Sequence, residues 1–252
     1  MMISAIIPTI NHIELVQQCV NSYQATTFDL KSEIIVVDDG SAASVQEALI
    51  PWARDNQVHL IANAVNEGFS KAVNAGIQQS SGDYVILINN DIVFQQPGWL
   101  NLMIDTMKQD SRIGIVGARL LYANQTIQHG GVVPSLRGNF DHRYRFQPAD
   151  YPPALAVEDA HAVTGALMLI SRALIDEIGP LSERYFIAYE DVDYCYRAKQ
   201  HGYRVVYCGT AHAVHLEGYT RGTTKLNKNR YWRHKELEAR KLFWSTWRGE
   251  QL

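Results

Sequence analysis

Several short apolar runs in this chain become polar only at their carboxyl ends, and this pattern constrains the fold more than any other feature. Residues 33–41 read EIIVVDDGS, and residues 83–91 read DYVILINND. The predicted strands are residues 4–8, 33–41, 59–61, 83–91, 113–117, 162–170 and 204–207, and helix-like segments cover 13–23, 71–79 and 99–110. Residues 128–159, which carry four of the eight prolines, are predicted to be loop-like. Apolar strands that alternate with helices are typical of parallel strands buried on both faces. The pattern predicts an α/β fold with a Rossmann-like, mostly parallel central sheet flanked by helices.

The polar residues that end these strands predict a ligand-binding crevice, because open α/β sheets bind ligands beyond the carboxyl ends of their strands. We expect Thr9, Asp38, Asp39, Asn89 and Asp91 to converge there. Asn89 and Asp91 lie on one side of their strand, and their oxygens suit a hard divalent cation that bridges diphosphate oxygens. An Asx-turn after the strand is the alternative interpretation. No glycine-rich phosphate loop follows a predicted strand, which leaves metal-mediated phosphate binding open.

Three carboxylates occupy four positions near residue 190, just before a helix-like segment. They are Glu190, Asp191 and Asp193, and an aromatic run at 185–189 precedes them. Neighbouring carboxylates repel one another, and such an arrangement suits a general base. The alternative is that Asp191 caps a helix that begins near Val192, with Asp193 in its first turn.

The charge of the chain is unevenly distributed. The formal net charge is −3, which predicts no nucleic-acid partner. Residues 216–252 carry nine Lys/Arg and four Asp/Glu, so this tail is basic, and Trp232, Ala239, Phe243 and Trp247 recur at helical spacing. We expect this stripe to pack on the rest of the chain or on a second copy in a homodimer. Peripheral contact with an anionic membrane is the alternative.

Cysteine use and the amino terminus bear on the compartment. Three scattered cysteines are too few for a disulfide framework, and no apolar run is long enough to span a membrane. Residues 1–8 enter a strand-like run without a basic segment ahead of a long apolar one, so no secretory leader is expected. The sequence predicts a cytoplasmic protein.

A series of short motifs resembles the family 2 glycosyltransferases of GT-A fold, over residues 3–221. The motifs are IPT at 7–9, VVDDGS at 36–41, NEGFSKAVNAG at 66–76, GDY at 82–84, NND at 89–91, TGA at 164–166, IGPL at 178–181, ED at 190–191 and HLE at 215–217. Their order and spacing are closest to the polysaccharide and O-antigen glycosyltransferases, many of them rhamnosyltransferase-like. The resemblance implies one domain over residues 1–215, with a nucleotide-sugar half at 1–110 and an acceptor half at 111–215, followed by the basic helical tail at 216–252.

The resemblance also implies an activity and a set of site residues. It implies inverting transfer of a sugar from a UDP- or dTDP-sugar to a saccharide or lipid-linked acceptor in surface polysaccharide biosynthesis, at the inner face of the membrane, with Mg²⁺ or Mn²⁺. Asp191 matches the catalytic base, and Asp38 the nucleobase contact. The other nucleotide-sugar positions are Thr9, Asp39, Asn66, Gly68, Lys71, Asn74, Asn90 and Arg221; the metal positions are Asn89, Asp91 and His215; the acceptor-side positions are His129, Thr164, Gly165 and Glu190.

Several of these positions have simpler alternatives. Gly68 suits a tight turn, Lys71 a solvated helix face, and His215 a structural role. Asn89 replaces an acid of the metal motif and so removes one negative ligand. His142, His161, His201, His212 and His234 are predicted to be core or surface residues.

Two rival functions fit the sequence less well. A sugar-1-phosphate nucleotidyltransferase would need a glycine-rich basic loop near the amino terminus, and residues 7–14 lack one. A noncatalytic nucleotide-sugar-binding or assembly subunit is disfavoured by the presence of Asp91, Asp191 and His215 together.

Overall fold

The computed structural model describes residues 1–135, 139–216 and 230–248. Its helices are α1 (Ile13–Thr26), α2 (Ala43–Asp55), α3 (Phe69–Gln79), α4 (Trp99–Lys108), α5 (Arg172–Ile178), α6 (Glu190–Gln200) and α7 (Arg230–Thr246). Its strands are β1 (Ile3–Thr9), β2 (Ser32–Asp38), β3 (His59–Ala62), β4 (Tyr84–Ile88), β5 (Ile92–Val93), β6 (Ile113–Leu121), β7 (Ile127–His129), β8 (Val132–Pro134), β9 (Phe140–His142), β10 (Val157–Asp159), β11 (Leu167–Ser171) and β12 (Arg204–His215). A single 3-10 turn covers Pro152–Leu155.

Most of the described strands belong to one ten-stranded sheet, with the order β10-β12-β6-β11-β4-β1-β2-β3 along its main path. Strands β3, β2, β1 and β4 are parallel, and β6 pairs in parallel with β12. Between these two groups β11 runs antiparallel to both β4 and β6. The predicted α/β class with a mostly parallel central sheet is confirmed.

The two faces of the sheet carry separate hydrophobic cores because successive strand residues point to opposite sides. Ile7 of β1 joins the core under α1, α2 and α4, whereas Ile6 joins the core under α3 and α6. The chain therefore leaves β1 on one face and returns to β4 from the other. Such a reversal opens a crevice between the carboxyl ends of two neighbouring strands.

The segment from 128 to 159, predicted to be loop-like, contains β8, β9, β10 and the 3-10 turn. The loop prediction was wrong over these elements, because strands of three residues are too short to show a period. Strands β8 and β9 form a separate two-stranded sheet, and the amide of Val132 donates to the carbonyl of Ala162. Strand β12 is longer than the predicted 204–207, since a bulge between Cys208 and His212 interrupts its alternation.

The tail helix α7 packs on the body of the chain. Phe243 is fully buried, and its ring centroid lies 5.2 Å from that of Phe140 and 5.4 Å from that of Tyr196. Trp247 donates from Nε1 to Oδ1 of Asp193 on α6 at 2.9 Å. Packing of the aromatic stripe on the rest of the chain is confirmed, so its buried rings are not available to lipid. No helix in the described ranges has the length and apolar character that a bilayer span requires.

Truncation of the α7 stripe should destabilise the whole fold. Phe243→Ala removes a fully buried ring shared with α6 and β9, and we expect it to lower the free energy of unfolding by about 3–5 kcal/mol. Leu237→Ala, on the exposed side of the same helix, should change it by less than about 0.5 kcal/mol. Urea unfolding monitored by circular dichroism measures both values. Equal, small effects would mean that α7 is not part of the cooperative unit.

Candidate active site

A cavity of about 410 Å³ opens beyond the carboxyl ends of β1 and β4. Its volume lies in the range of small-molecule sites. The predicted site residues that line it are Thr9, Asp39, Asn66, Gly68, Asn89, Asn90, Asp91, Thr164, Gly165, Glu190, Asp191 and His215. Four others do not line it, namely Asp38, Lys71, Asn74 and His129, while Arg221 lies outside the described residues. The convergence expected from the strand ends therefore occurs for Thr9, Asp39, Asn89 and Asp91.

The two aspartates at the carboxyl end of β2, Asp38 within the strand and Asp39 just after it, have different surroundings. Asp38 is fully buried, and its carboxylate accepts hydrogen bonds from the Ser41 hydroxyl and from Nε2 of Gln46, the latter at 2.7 Å. Asp39 lines the cavity, and its carboxylate accepts from the backbone amides of Glu67 and Gly68, each at 2.9 Å. Alternation along the strand separates the neighbours in this way. Asp39, rather than Asp38, therefore presents a carboxylate at the cavity.

Gly68 lies directly before α3, and the backbone around it leaves no room for a side chain. Its φ is +96°, and a Cβ built on it would lie 2.5 Å from the carbonyl oxygen of Phe186. The adjacent amide of Phe69 donates to the same carbonyl at 2.8 Å. The tight-turn interpretation of Gly68 is confirmed. This turn joins the start of α3 to the segment that precedes α6.

Lys71 and Asn74 of α3 have roles away from the cavity. Lys71 is exposed and forms an ion pair with Glu67 at 3.2 Å. Asn74 is buried and exchanges two hydrogen bonds with the backbone of Leu181, so it fixes the chain ahead of α6. The solvated-face interpretation of Lys71 agrees with this geometry.

Asp191 is the second residue of α6 and faces the cavity. The helix begins at Glu190 after Tyr189, so the alternative in which Asp191 caps a helix starting near Val192 is wrong. Its Oδ2 accepts from the amide of Gly165 at 2.9 Å, and its Oδ1 from the amide of Val192 at 2.8 Å. These donors and the positive end of the helix stabilise the charged carboxylate and fix its direction.

The two residues ahead of α6 adopt strained backbone conformations. Ala188 has φ +66° and Tyr189 has φ +68°, both in the left-handed region that non-glycine residues rarely occupy. Strain of this kind costs about 1–3 kcal/mol per residue and concentrates at functional sites. Here it accompanies the turn that brings Glu190 and Asp191 to the cavity wall.

Asp193, the third carboxylate of the cluster, faces away from the cavity. Its Oδ1 accepts from the hydroxyl of Tyr185 at 3.1 Å and from Nε1 of Trp247. Burial raises the pKa of this carboxyl, although both hydrogen bonds oppose the shift. Adjacent acids on α6 are thus divided between the site and the interface with α7.

Asp91, His215 and Asn89 form a compact group in the lining of the same cavity. Oδ1 of Asp91 lies 3.0 Å from Nε2 of His215, and the side-chain amide of Asn89 lies 3.4 Å from the same nitrogen. The pairing of β5 with β12 aligns His215 with Ile92 and so holds the histidine beside Asp91. Among the described residues no three or more His, Cys, Asp or Glu side chains are grouped so that they could hold a metal ion, so this group depends on the amide for a third donor.

The hydrogen bond on the far side of His215 orients the ring for a cation. Nδ1 donates to Oε1 of Gln128 at 2.7 Å, so a neutral ring directs its Nε2 lone pair toward Asp91. A histidine ligand held through its other nitrogen is the usual arrangement in metal sites. A carboxylate oxygen, an imidazole nitrogen and an amide oxygen are donors that Mn²⁺ and Mg²⁺ accept. The residues present therefore fit a divalent cation.

The cavity lining also contains residues that were not predicted to belong to the site. They are Gln128, Phe140, His142, Arg145, Phe186, Tyr189 and Trp232. The prediction that His142 is a core or surface residue was wrong, because the β8–β9 hairpin brings its ring to the cavity. His129, predicted at the acceptor side, is fully buried behind that ring. Helical spacing in the tail was the one available signal, and it identified Trp232.

Comparison with known proteins identifies a matching family model and relatives in sequence. The family model described as Glycosyl transferase family 2 matches residues 4–179. An uncharacterized protein of Sinorhizobium fredii, y4gI, is 31% identical over an alignment of 255 positions that covers 97% of this chain and 28% of that protein. The O-antigen biosynthesis protein RfbC of Myxococcus xanthus is 25% identical over an alignment of 238 positions that covers 91% of this chain and 18% of that protein. The chain thus spans less than a third of the length of these two relatives.

A solved structure with a similar fold is the mannosyltransferase PcManGT from Pyrobaculum calidifontis in complex with GDP-Man and Mn²⁺. The TM-score is 0.68 at 18% identity, and the match covers 99% of this chain and 65% of that one. At this identity the likeness concerns the fold.

Proposed function

This chain belongs to glycosyltransferase family 2, and we propose that it catalyses inverting transfer of a sugar from a UDP- or dTDP-sugar to a hydroxyl of a saccharide or lipid-linked saccharide acceptor. Its fold is the GT-A fold predicted from the sequence. One observation carries the proposal. The same cavity is lined by an oriented carboxylate, Asp191, and by Asp91 with His215, the group that would hold a cation. An inverting transfer needs a base on one side of the sugar and charge stabilisation on the other.

Asp191 is proposed as the general base. Its carboxylate, held by the amide of Gly165, accepts the proton of the acceptor hydroxyl while that oxygen attacks the anomeric carbon. The bond from the anomeric carbon to the diphosphate oxygen breaks, and its electron pair leaves with the nucleoside diphosphate. Attack and departure on opposite faces invert the anomeric configuration.

Asp91, His215 and Asn89 would hold Mg²⁺ or Mn²⁺. A divalent cation in this place supplies positive charge that stabilises the departing diphosphate. The strand pairing and the Gln128 hydrogen bond preset two of these side chains, which limits their reorganisation on binding. On the same edge Nδ2 of Asn90 donates to the hydroxyl of Thr9 at 2.9 Å and ties the end of β4 to that of β1.

The proposed activity is tested with wild-type protein and a panel of UDP-, dTDP-, CDP- and GDP-sugars, with Mn²⁺ and with EDTA. Methyl glycosides serve as acceptors, since they offer free hydroxyls without a reducing end. We expect glycoside-dependent release of UDP or dTDP, and a product whose anomeric configuration is inverted by NMR. GDP-sugars belong in the panel because the structurally similar PcManGT binds GDP-Man. Release of no nucleoside diphosphate from any pair, or a retained configuration, would contradict the proposal.

Selection of the nucleobase should depend on Asp39, which lines the cavity, more than on the Asp38 predicted from the sequence. A carboxylate accepts N3–H of uracil or thymine, whereas cytosine has no N3–H and guanine is larger. Because a hydrogen bond to a charged group is worth about 1.5–3 kcal/mol, loss of the N3–H contact should make wild type prefer UDP or dTDP over CDP by about tenfold or more. Asp39→Asn should narrow this ratio, since its amide can donate to N3 of cytosine.

The matched variant is Asp38→Asn, one residue away. In wild type the Asp38 carboxylate contacts Ser41 and Gln46 within the protein. The substitution should therefore lower the melting temperature and leave the ratio of UDP to CDP affinity within about twofold of the wild-type ratio. Calorimetric titration of both variants measures the ratio. A ratio that collapses in Asp38→Asn and survives in Asp39→Asn would restore Asp38 as the nucleobase contact.

A further inference from the structure

Two histidines are in contact where strand β9 lines the cavity. Nδ1 of His129 lies 3.1 Å from Nδ1 of His142, and the ring planes are 79° apart with centroids at 4.7 Å. His129 is fully buried, while His142 is partly exposed through the cavity that it lines. Each ring nitrogen at the contact must therefore be either the donor or the acceptor of one hydrogen bond.

The backbone decides which ring donates. The amide of Gly131 donates to Nε2 of His129 at 3.3 Å, so this nitrogen carries a lone pair and the ring proton of a neutral His129 is on Nδ1. That proton is donated to Nδ1 of His142. His142 then carries its own proton on Nε2. Gly131 has φ +95°, a conformation that favours glycine. A residue with a side chain would be strained at this position.

Both rings are neutral near pH 7. Burial lowers the pKa of His129 well below its ordinary value, and proximity to His142 and Arg143 lowers it further. Burial lowers the pKa of His142 to about 4, and the attraction of Asp191, the largest effect of a charged group on this ring, offsets only part of the shift. Arg145 and His215 add to the lowering, and Asp141 opposes it. The tautomer argument therefore applies to the working state of the protein.

We propose that His142 donates a hydrogen bond from Nε2 to an oxygen of the saccharide acceptor, and that His129 fixes the tautomer in which this donor exists. The inference rests on the proposed function. Within the described residues His129 is the hydrogen-bonding partner of His142, which leaves Nε2 for a ligand. The ring belongs to the β8–β9 hairpin, on the wall with Phe140 and Tyr189, whereas Thr9 and Asp39 stand at the strand ends.

This placement gives the hydrogen bond a direction. The acceptor hydroxyl close to Asp191 is the nucleophile. A neighbouring oxygen of the same sugar can accept the hydrogen bond from Nε2 of His142. A donor at Nε2 would favour acceptors that offer an oxygen there and would orient the attacking hydroxyl toward Asp191. His142 is thus a substrate-positioning residue, and His129 acts through it.

The tautomers can be measured without any substrate. Protein labelled with ¹⁵N-histidine gives long-range ¹H–¹⁵N spectra that distinguish the two neutral tautomers, and the spectra of His129→Gln and His142→Gln assign the signals of these two rings. We expect His129 to be protonated on Nδ1 and His142 on Nε2. A His142 protonated on Nδ1, or two cationic rings at pH 7, would overturn the inference.

The role of the His142 Nε2 hydrogen bond is measured with the methyl glycoside and the nucleotide sugar that support transfer. His142→Phe and His142→Asn remove a donor at the Nε2 position and should raise the acceptor KM roughly tenfold, with the donor KM unchanged. His142→Gln, whose amide nitrogen can occupy the place of Nε2, should recover most of the loss. His161→Phe, outside the cavity lining, is the matched control, and thermal unfolding checks each variant.

The outcomes separate this inference from the proposed function. An unchanged acceptor KM in folded His142→Phe and His142→Asn overturns the inference while transfer itself continues. Wild-type protein that transfers no sugar contradicts the proposed function instead. The tautomers then still decide whether His142 can donate into the cavity.

Discussion

Asp191→Asn should lower the turnover number by roughly 10²- to 10⁴-fold and leave the Kd of the donor nucleotide almost unchanged. The amide can still accept from the amide of Gly165, so the geometry of α6 and the cavity wall persists. What is lost is the capacity to accept a proton from the acceptor hydroxyl. Steady-state release of nucleoside diphosphate gives turnover, and calorimetry gives the donor Kd.

Asp193→Asn is the matched control for this prediction because it makes the same change two residues along the same helix. The carboxylate of Asp193 contacts Tyr185 and Trp247 and does not line the cavity. We expect altered stability with turnover within about twofold of wild type. Near-normal turnover in Asp191→Asn would remove its assignment as the base. A large loss of donor binding would indicate a structural role for Asp191.

The strand ends were predictable from sequence because their chemistry follows local rules. An apolar run that ends in Asn or Asp identifies both the strand and the edge of the sheet at which its ligands lie. Thr9, Asn89 and Asp91 could be placed at one site on this basis. The side to which each neighbour points depends on the register and on the turn that follows. The choice between Asp38 and Asp39 therefore required the structure.

The part of the cavity lining that the β8–β9 hairpin supplies was not predictable, for a different reason. His142 lies on a strand of three residues whose hairpin has no periodic signal, and its tautomer depends on an amide eleven residues earlier, that of Gly131. Asn74 illustrates the same limit, since its partner Leu181 is far away in sequence. Contacts of this kind arise from tertiary packing, which single-residue propensities do not encode.

Asp91→Ala and His215→Ala should each weaken Mn²⁺-dependent binding of the donor nucleotide by roughly 100-fold or more. Each removes a side chain from the group that would hold the cation, and electrostatic stabilisation of a diphosphate by a metal is worth several kcal/mol. EDTA should reproduce the loss in wild type and have little further effect on either variant. Calorimetry with UDP or dTDP, with and without Mn²⁺, measures the difference. Unaltered Mn²⁺-dependent binding in both variants would remove the site.

The double variant and a change behind His215 test whether these residues act as one unit. Asp91→Ala with His215→Ala should cost little more than either change alone, because a site already disabled cannot be lost twice. Gln128→Ala removes the acceptor of the His215 Nδ1 proton at 2.7 Å and leaves both proposed ligands in place. Loss of such an orienting partner typically costs 10- to 100-fold in metal affinity, so this variant should lie between wild type and the ligand variants. Additive losses in the double variant would mean that Asp91 and His215 bind the nucleotide separately, because two ligands of one cation share a single free energy of binding.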